Sequence, residues 1–105
     1  MIAVLVRFDV KDEVKKDLAN KEAARQHLQE VVEGCRKVPG LMEKYFIMDP
    51  DTYAQGAMLL FDTKENFEKY EKTELFKQTV YDICEGKPRI EFFQHTANLT
   101  DGVFI

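Results

Sequence analysis

A chain of 105 residues, 45% hydrophobic and 32% charged, has room for one hydrophobic core and one domain, 1–105. Its net charge of −4 and pI near 5.2 argue against nucleic acid as a partner, which demands a basic face, and against an anionic membrane. The apolar start Ile2-Ala3-Val4-Leu5-Val6 is broken by Arg7, is too short to span a bilayer, and shows no basic leader or cleavage site; a cytoplasmic protein is expected.

Ile2 to Val10 reads as a strand. Ile2, Val4, Val6 and Phe8 form one apolar face; Ala3 and Leu5 lie on the other, which turns polar at Arg7 and Asp9. Lys11 to Asn20 is highly charged and reads as a solvated connection or a frayed helix start, lightly anchored by Val14 and Leu18. A helix follows from about Asn20, its cap. Ala24, Leu28, Val31, Val32 and Cys35 make one stripe, and Val38-Pro39-Gly40 stops it. His27 sits one step off that stripe, at its boundary or surface.

The centre of the chain is a hairpin. Leu41 to Met48 and Tyr53 to Phe61 are extended runs around the turn Asp49-Pro50-Asp51-Thr52. The second run is apolar on both sides, with Ala57, Leu59 and Phe61 one way and Met58 and Leu60 the other. Gly56 marks a bulge or a close backbone approach. Asp62 is the expected helix cap, with Glu65 completing a capping box. The helical region from Thr63 to Glu85 reads as two pieces, the second starting at Thr73 and ending at Gly86. Pro88 to Asn98 is the last strand, and Val103-Phe104-Ile105 an apolar end that docks on its own subunit or on a partner.

Cys35 and Cys84 lie far apart without paired spacing and read as buried, reduced thiols. Two distant histidines offer no metal cluster, and neither a phosphate loop nor a Ser/His/Asp motif is present.

The order β-α-β-β-α-β predicts an α+β, ferredoxin-like fold: a four-stranded antiparallel sheet with both helices on one face and the strands from Ile2 and Tyr53 central. Both central strands are apolar on both sides, yet helices cover only one. At ~25 cal/mol per Å², covering ~500 Å² of that second face is worth roughly 12 kcal/mol before association costs. A homodimer packed sheet to sheet is therefore expected.

Pro39-Gly40-Leu41, Gly56 with Leu59-Leu60-Phe61-Asp62, Phe67 and Glu74-Leu75-Phe76 resemble the pattern of the dimeric α+β barrel superfamily, which includes antibiotic-biosynthesis-type monooxygenases. Gly56 to Phe61 and the final strand ending Ala97-Asn98-Leu99 are most similar to its small YdhR-like members. The resemblance implies a cleft between sheet and helices in each subunit. There, relatives oxygenate aromatic or polyketide compounds, some without metal or flavin, and others degrade haem. The haem-degrading members use Asn, Trp and His where this chain has Arg7, Phe61 and Val80, so haem breakdown is not expected.

With the face set by that resemblance, Phe61, Leu59 and Arg7 are expected toward the helices, with Tyr45, Phe93 and His95 near. A small hydrophobic phenol or aromatic is the expected ligand, lined by Leu59, Phe61, Phe93 and Val80. Oxygenation without a cofactor needs a base to form the electron-rich anion and a cation to steady reduced oxygen. His95 is the candidate base, Arg7 the candidate cation and Tyr45 the group that orients a substrate oxygen. Arg7 reads equally as an ion-pair partner of Glu91, His95 as solvated, and Phe61 as core. The competing function is a non-catalytic homodimer that binds a small ligand or serves an assembly.

Overall fold

A computed structural model of the chain describes Met1 to Ile105. Four strands, β1 (Ile2–Val10), β2 (Leu41–Met48), β3 (Gln55–Phe61) and β4 (Cys84–Gln94), form one antiparallel sheet in the order β2-β3-β1-β4. Helices α1 (Asp12–Ala19) and α2 (Lys21–Cys35) link β1 to β2. Helices α3 (Lys64–Glu71) and α4 (Glu74–Phe76) link β3 to β4. The α+β ferredoxin-like architecture and the central place of β1 and β3 are as expected.

The core lies between the sheet and the helices. Val4, Val6, Phe8 and Val10 of β1 and Ala57, Leu59 and Phe61 of β3 are all buried there, the period-2 signature of one face. Register pairs Val4 with Leu59 and Val6 with Ala57. From the helices come Phe67, Tyr70, Phe76 and Val80. Their rings meet edge to face, Phe67 to Phe76 at 6.2 Å and Tyr70 to Phe76 at 5.2 Å between centroids, the arrangement that ring quadrupoles favour.

Several local expectations are corrected. Asp12 to Ala19 is a true helix, because Val14 and Leu18 reach the core and anchor it. The cap of α3 is Thr63, whose hydroxyl accepts from the Asn66 amide N–H. Asp62, one residue earlier, instead accepts from the Asn66 side chain at 2.8 Å and from the Thr63 N–H. The second helical piece does begin at Thr73, which accepts from the Phe76 N–H. It runs on as a π-helical turn, Lys77–Tyr81, in which the Asp82 N–H reaches back to the Lys77 carbonyl. Gly86 does not stop that helix. It lies inside β4 at φ +78°, where the β1–β4 register shifts between Arg7 and Asp9.

Gly56 is a close backbone approach: a Cβ there would lie 2.8 Å from the Val6 carbonyl oxygen and 3.1 Å from Ile47. The hairpin turn is held by Asp49, whose carboxylate accepts from the N–H groups of Asp51 and Thr52. Tyr53 closes the turn at φ +62°. The last strand ends at Gln94, and Ala97–Asn98 pairs with Gly102–Val103 in a separate small hairpin that carries Leu99 out into solvent. The helices leave the second sheet face uncovered. Tyr45, Ile47, Met58 and Phe93 are exposed on it, with Ala3, Leu5 and Leu60 half-buried among them. No helix is long and apolar enough to cross a membrane.

Candidate functional site

A cavity of about 100 Å³ lies between the sheet and the helix layer. Its floor is Val6, Phe8, Ala57 and Leu59 of the two central strands. Phe76, Val80 and Ile83 wall it from the α4 side, and Leu28 and Val31 from α2. It exists because α2 touches the layer beneath mainly through its C-terminal half: Val31 and Cys35 are buried, whereas Leu28 remains 45% exposed at the rim. The π-helical turn shapes the opposite wall, where the Thr79 hydroxyl donates to the Leu75 carbonyl at 2.7 Å and so spends its proton within the helix.

Polar groups enter this apolar space at one corner. Lys44 stands on β2 opposite Leu59, so its side chain shares the helix-facing parity with Phe46. Its Nζ donates to the Tyr70 hydroxyl at 3.2 Å and to Cys35 Sγ at 3.5 Å, and lies 4.4 Å from the centroid of the Phe46 ring. Desolvation pulls the Lys44 pKa below its ordinary value, and the Cys35 sulfur opposes that by a smaller amount. Burial, with Cys35 second, pushes the Tyr70 phenol up. Burial therefore displaces both partners of this contact in the direction of their neutral forms. His27 and Gln55 complete the polar rim.

The sequence-predicted residues divide between the two sides of the sheet. Leu59 and Val80 line the cavity, and Phe61 packs fully buried in the adjacent aromatic cluster. Arg7 is on the opposite face, contrary to expectation: it pairs with Gly56 and Arg89, one step out of phase with Val6. Glu91 forms its ion pair with Arg89 at 2.9 Å, not with Arg7. Tyr45 and Phe93 lie on that open face as well. His95 follows the end of β4, its ring tilted at 58° to that of Phe104 with centroids 4.6 Å apart, with Nε2 3.2 Å from the Asn98 side chain and a buried Nδ1 without a partner. None of these four reaches the helix-side cavity.

Arg7 instead borders a wider groove of about 470 Å³ at the sheet end, with Lys87, Arg89, Asp9, Asp49 and Glu85. All six charged side chains there are exposed and of mixed sign, so water screens them and no desolvated group is poised for chemistry. The smaller cavity is the better site because its polar corner is shielded. Sequence reasoning missed Lys44, Tyr70 and Cys35 as a group. Part of the signal was present: a turn at Asp49–Thr52 sets Lys44 opposite Ala57, two positions from its actual partner Leu59 but on the same inward face. No three His, Cys, Asp or Glu side chains converge as a metal cage.

Sheet order, helix placement and the intervening cavity define a ferredoxin-like α+β fold with a four-stranded antiparallel sheet. No family model and no curated protein sequence matches the chain significantly. Solved structures do. A protein described as an antibiotic biosynthesis monooxygenase aligns with a TM-score of 0.68 over 91% of this chain and 99% of its own, at 14% identity. Rv0793 from Mycobacterium tuberculosis aligns at 0.66 over 94% and 98%, with 11% identity. NE2512 from Nitrosomonas europaea, a protein of unknown function, aligns at 0.66 over 96% and 95%, with 14% identity. At such identities the shared property is the fold, and the chemistry has to be argued from the site.

Proposed function

We propose that the protein binds a small phenol or hydroquinone in the helix-side cavity and oxygenates it with dioxygen, without a cofactor. The observation that carries this is Lys44 Nζ held between the Tyr70 hydroxyl and Cys35 Sγ at the rim of an apolar cavity. A cavity of about 150 Å³ admits benzene. One of about 100 Å³ is smaller, so a single ring enters it with one edge projecting through the open rim.

Lys44, whose pKa burial lowers, takes the phenol proton when in its free-base form. The resulting ammonium holds the phenolate, whose electron density is raised by the dry walls. One electron passes to dioxygen, and the ammonium and the Tyr70 O–H steady the reduced oxygen as it joins a ring carbon. The O–O bond then breaks. One oxygen stays as a new carbonyl, the other leaves as water with the phenolic and ring hydrogens, and phenol plus dioxygen become quinone plus water. The substrate supplies all four electrons.

Oxygen uptake over a panel of phenols and hydroquinones tests this. Wild type consumes oxygen with at least one member, Lys44→Met loses the activity, and Arg7→Ala keeps it. Absence of uptake with every member overturns the oxygenase. The second reading, binding without turnover, is favoured by a lining that is apolar outside its one polar corner; calorimetric binding of the same compounds without uptake identifies it.

The exposed apolar sheet face supports a homodimer in which a second copy covers Leu5, Met58, Leu60 and Phe93. Cys35 and Cys84, both buried and unbonded, support a reducing compartment such as the cytoplasm.

A further inference from the structure

Cys35 and Lys44 form a partition. Lys44 lines the inner cavity, and both residues line a second groove of about 180 Å³ that opens between the C-terminal end of α2 and the start of β2. The pair is thus approached from the outside through the groove while its amine serves the cavity. Cys84, the other thiol, is buried in the apolar core, and its hydrogen bonds go to the carbonyls of Tyr81 and Gly86 rather than to an amine.

We propose that peroxide joins Cys35 to Lys44 through a reversible sulfur–nitrogen bond, and that this bond switches the cavity off. The geometry supports it at each step. The Lys44 ammonium beside Cys35 supplies the counter-charge for thiolate attack on peroxide; one oxygen passes to sulfur, and the other leaves as water with the proton that the ammonium gives up, which frees the amine. The sulfur loses two electrons and the O–O bond accepts them. The Lys44 amine, 3.5 Å from that sulfur, then displaces the sulfenic oxygen. A sulfenic acid closes on a nearby backbone nitrogen in the same way. Overall, thiolate, ammonium and hydrogen peroxide become the sulfenamide and two waters, with nitrogen unchanged in oxidation state. A dithiol reductant reverses the bond by attack at sulfur. Burial assists the closing step, because a lysine held below its ordinary pKa offers the lone pair that an ammonium lacks.

The bond does not depend on the oxygenase reading; only its consequence for the ligand rests on it. Once bonded, Lys44 can neither accept the phenol proton nor hold the phenolate.

The test is hydrogen peroxide treatment of the full chain, digestion without reductant and mass spectrometry, alongside calorimetric titration with hydroquinone. The expected product is a peptide pair joined through Cys35 and Lys44, lighter than the separate peptides by two hydrogens and parted by dithiothreitol. Cys35→Ser and Lys44→Arg, each shown to be folded by thermal unfolding, do not form it, and Cys84 stays unlinked. Oxidation of Cys35 to sulfinic or sulfonic acid without the link, or a link unaffected by Lys44→Arg, overturns the proposal. If the link forms but hydroquinone binds as before, the bond stands and the assignment of the cavity fails. If it forms and binding is lost until dithiothreitol is added, both stand.

Discussion

Lys44 Nζ and the Tyr70 hydroxyl lie 3.2 Å apart, and both groups are displaced toward their neutral forms. The common cause is desolvation, which penalises charge on either residue. The contact therefore joins a lysine whose pKa burial lowers to a phenol whose pKa burial raises, at the edge of an apolar cavity.

That displacement has a sign in the dependence of stability on pH. Tyr70 is raised above 10.0, so above that pH the folded chain keeps a proton that the unfolded chain has lost, and stability falls as pH climbs. Lys44 is lowered below 10.5, so between its folded value and 10.5 the unfolded chain binds the extra proton, and stability rises with pH. Thermal unfolding from neutral to strongly alkaline pH should show Tyr70→Phe with a shallower alkaline decline than wild type, and Lys44→Met without the preceding rise. Identical profiles for wild type and Tyr70→Phe would mean that the phenol is not held neutral by burial.

Stability and ligand binding should part company at Lys44. Methionine keeps the length of the stem and removes a desolvated amine, so Lys44→Met is expected to melt at or above the wild-type temperature. Affinity for phenols should nevertheless drop tenfold or more in calorimetry, about the 1.4 kcal/mol that one charge-assisted hydrogen bond contributes. A variant that binds as tightly as wild type removes Lys44 from the site.

Met58 tests the open sheet face. It faces Leu5 on one neighbouring strand and Tyr45 on the other, all outside the core. Met58→Glu introduces a charge that a covered interface cannot accommodate. Sedimentation velocity should show wild type as a dimer at micromolar concentration and the variant as a folded monomer. A monomeric wild type would disprove the dimer directly.

The helix layer should respond in graded fashion. Phe67 is fully buried between Phe61, Tyr70, Phe76 and Phe92, and Phe67→Ala is expected to cost about 3–5 kcal/mol in urea unfolding. Thr73→Ala removes the cap bond accepted from the Phe76 N–H and the bond its hydroxyl donates to the Tyr70 carbonyl, and should cost about 1–2 kcal/mol. Equal losses at the two positions would contradict the placement of the core.

Much of this molecule was legible as a string of residues. Alternation named the apolar faces of β1 and β3, Asn20 and Thr73 declared their helix starts, and the two-sided greasiness of Met58 and Leu60 exposed the uncovered face. These are properties of neighbours within a few positions, where backbone geometry imposes a period of two or of 3.6. Short-range chemistry misled where two groups competed for one role, as Asp62 and Thr63 did for the cap of α3 and as Gly86 did between helix stop and strand bulge.

The site was settled only by tertiary structure. Arg7 belongs to the far side because register sets Val4, not Arg7, against Leu59, and a shift of one residue reverses every side chain on a strand. Lys44 meets Cys35 across 9 positions and Tyr70 across 26, a strand, a helix end and a second helix brought together by the fold. Local sequence determines which residues share a face. Which faces meet, and which polar group is thereby taken out of water, is decided only when the helix layer closes over the sheet.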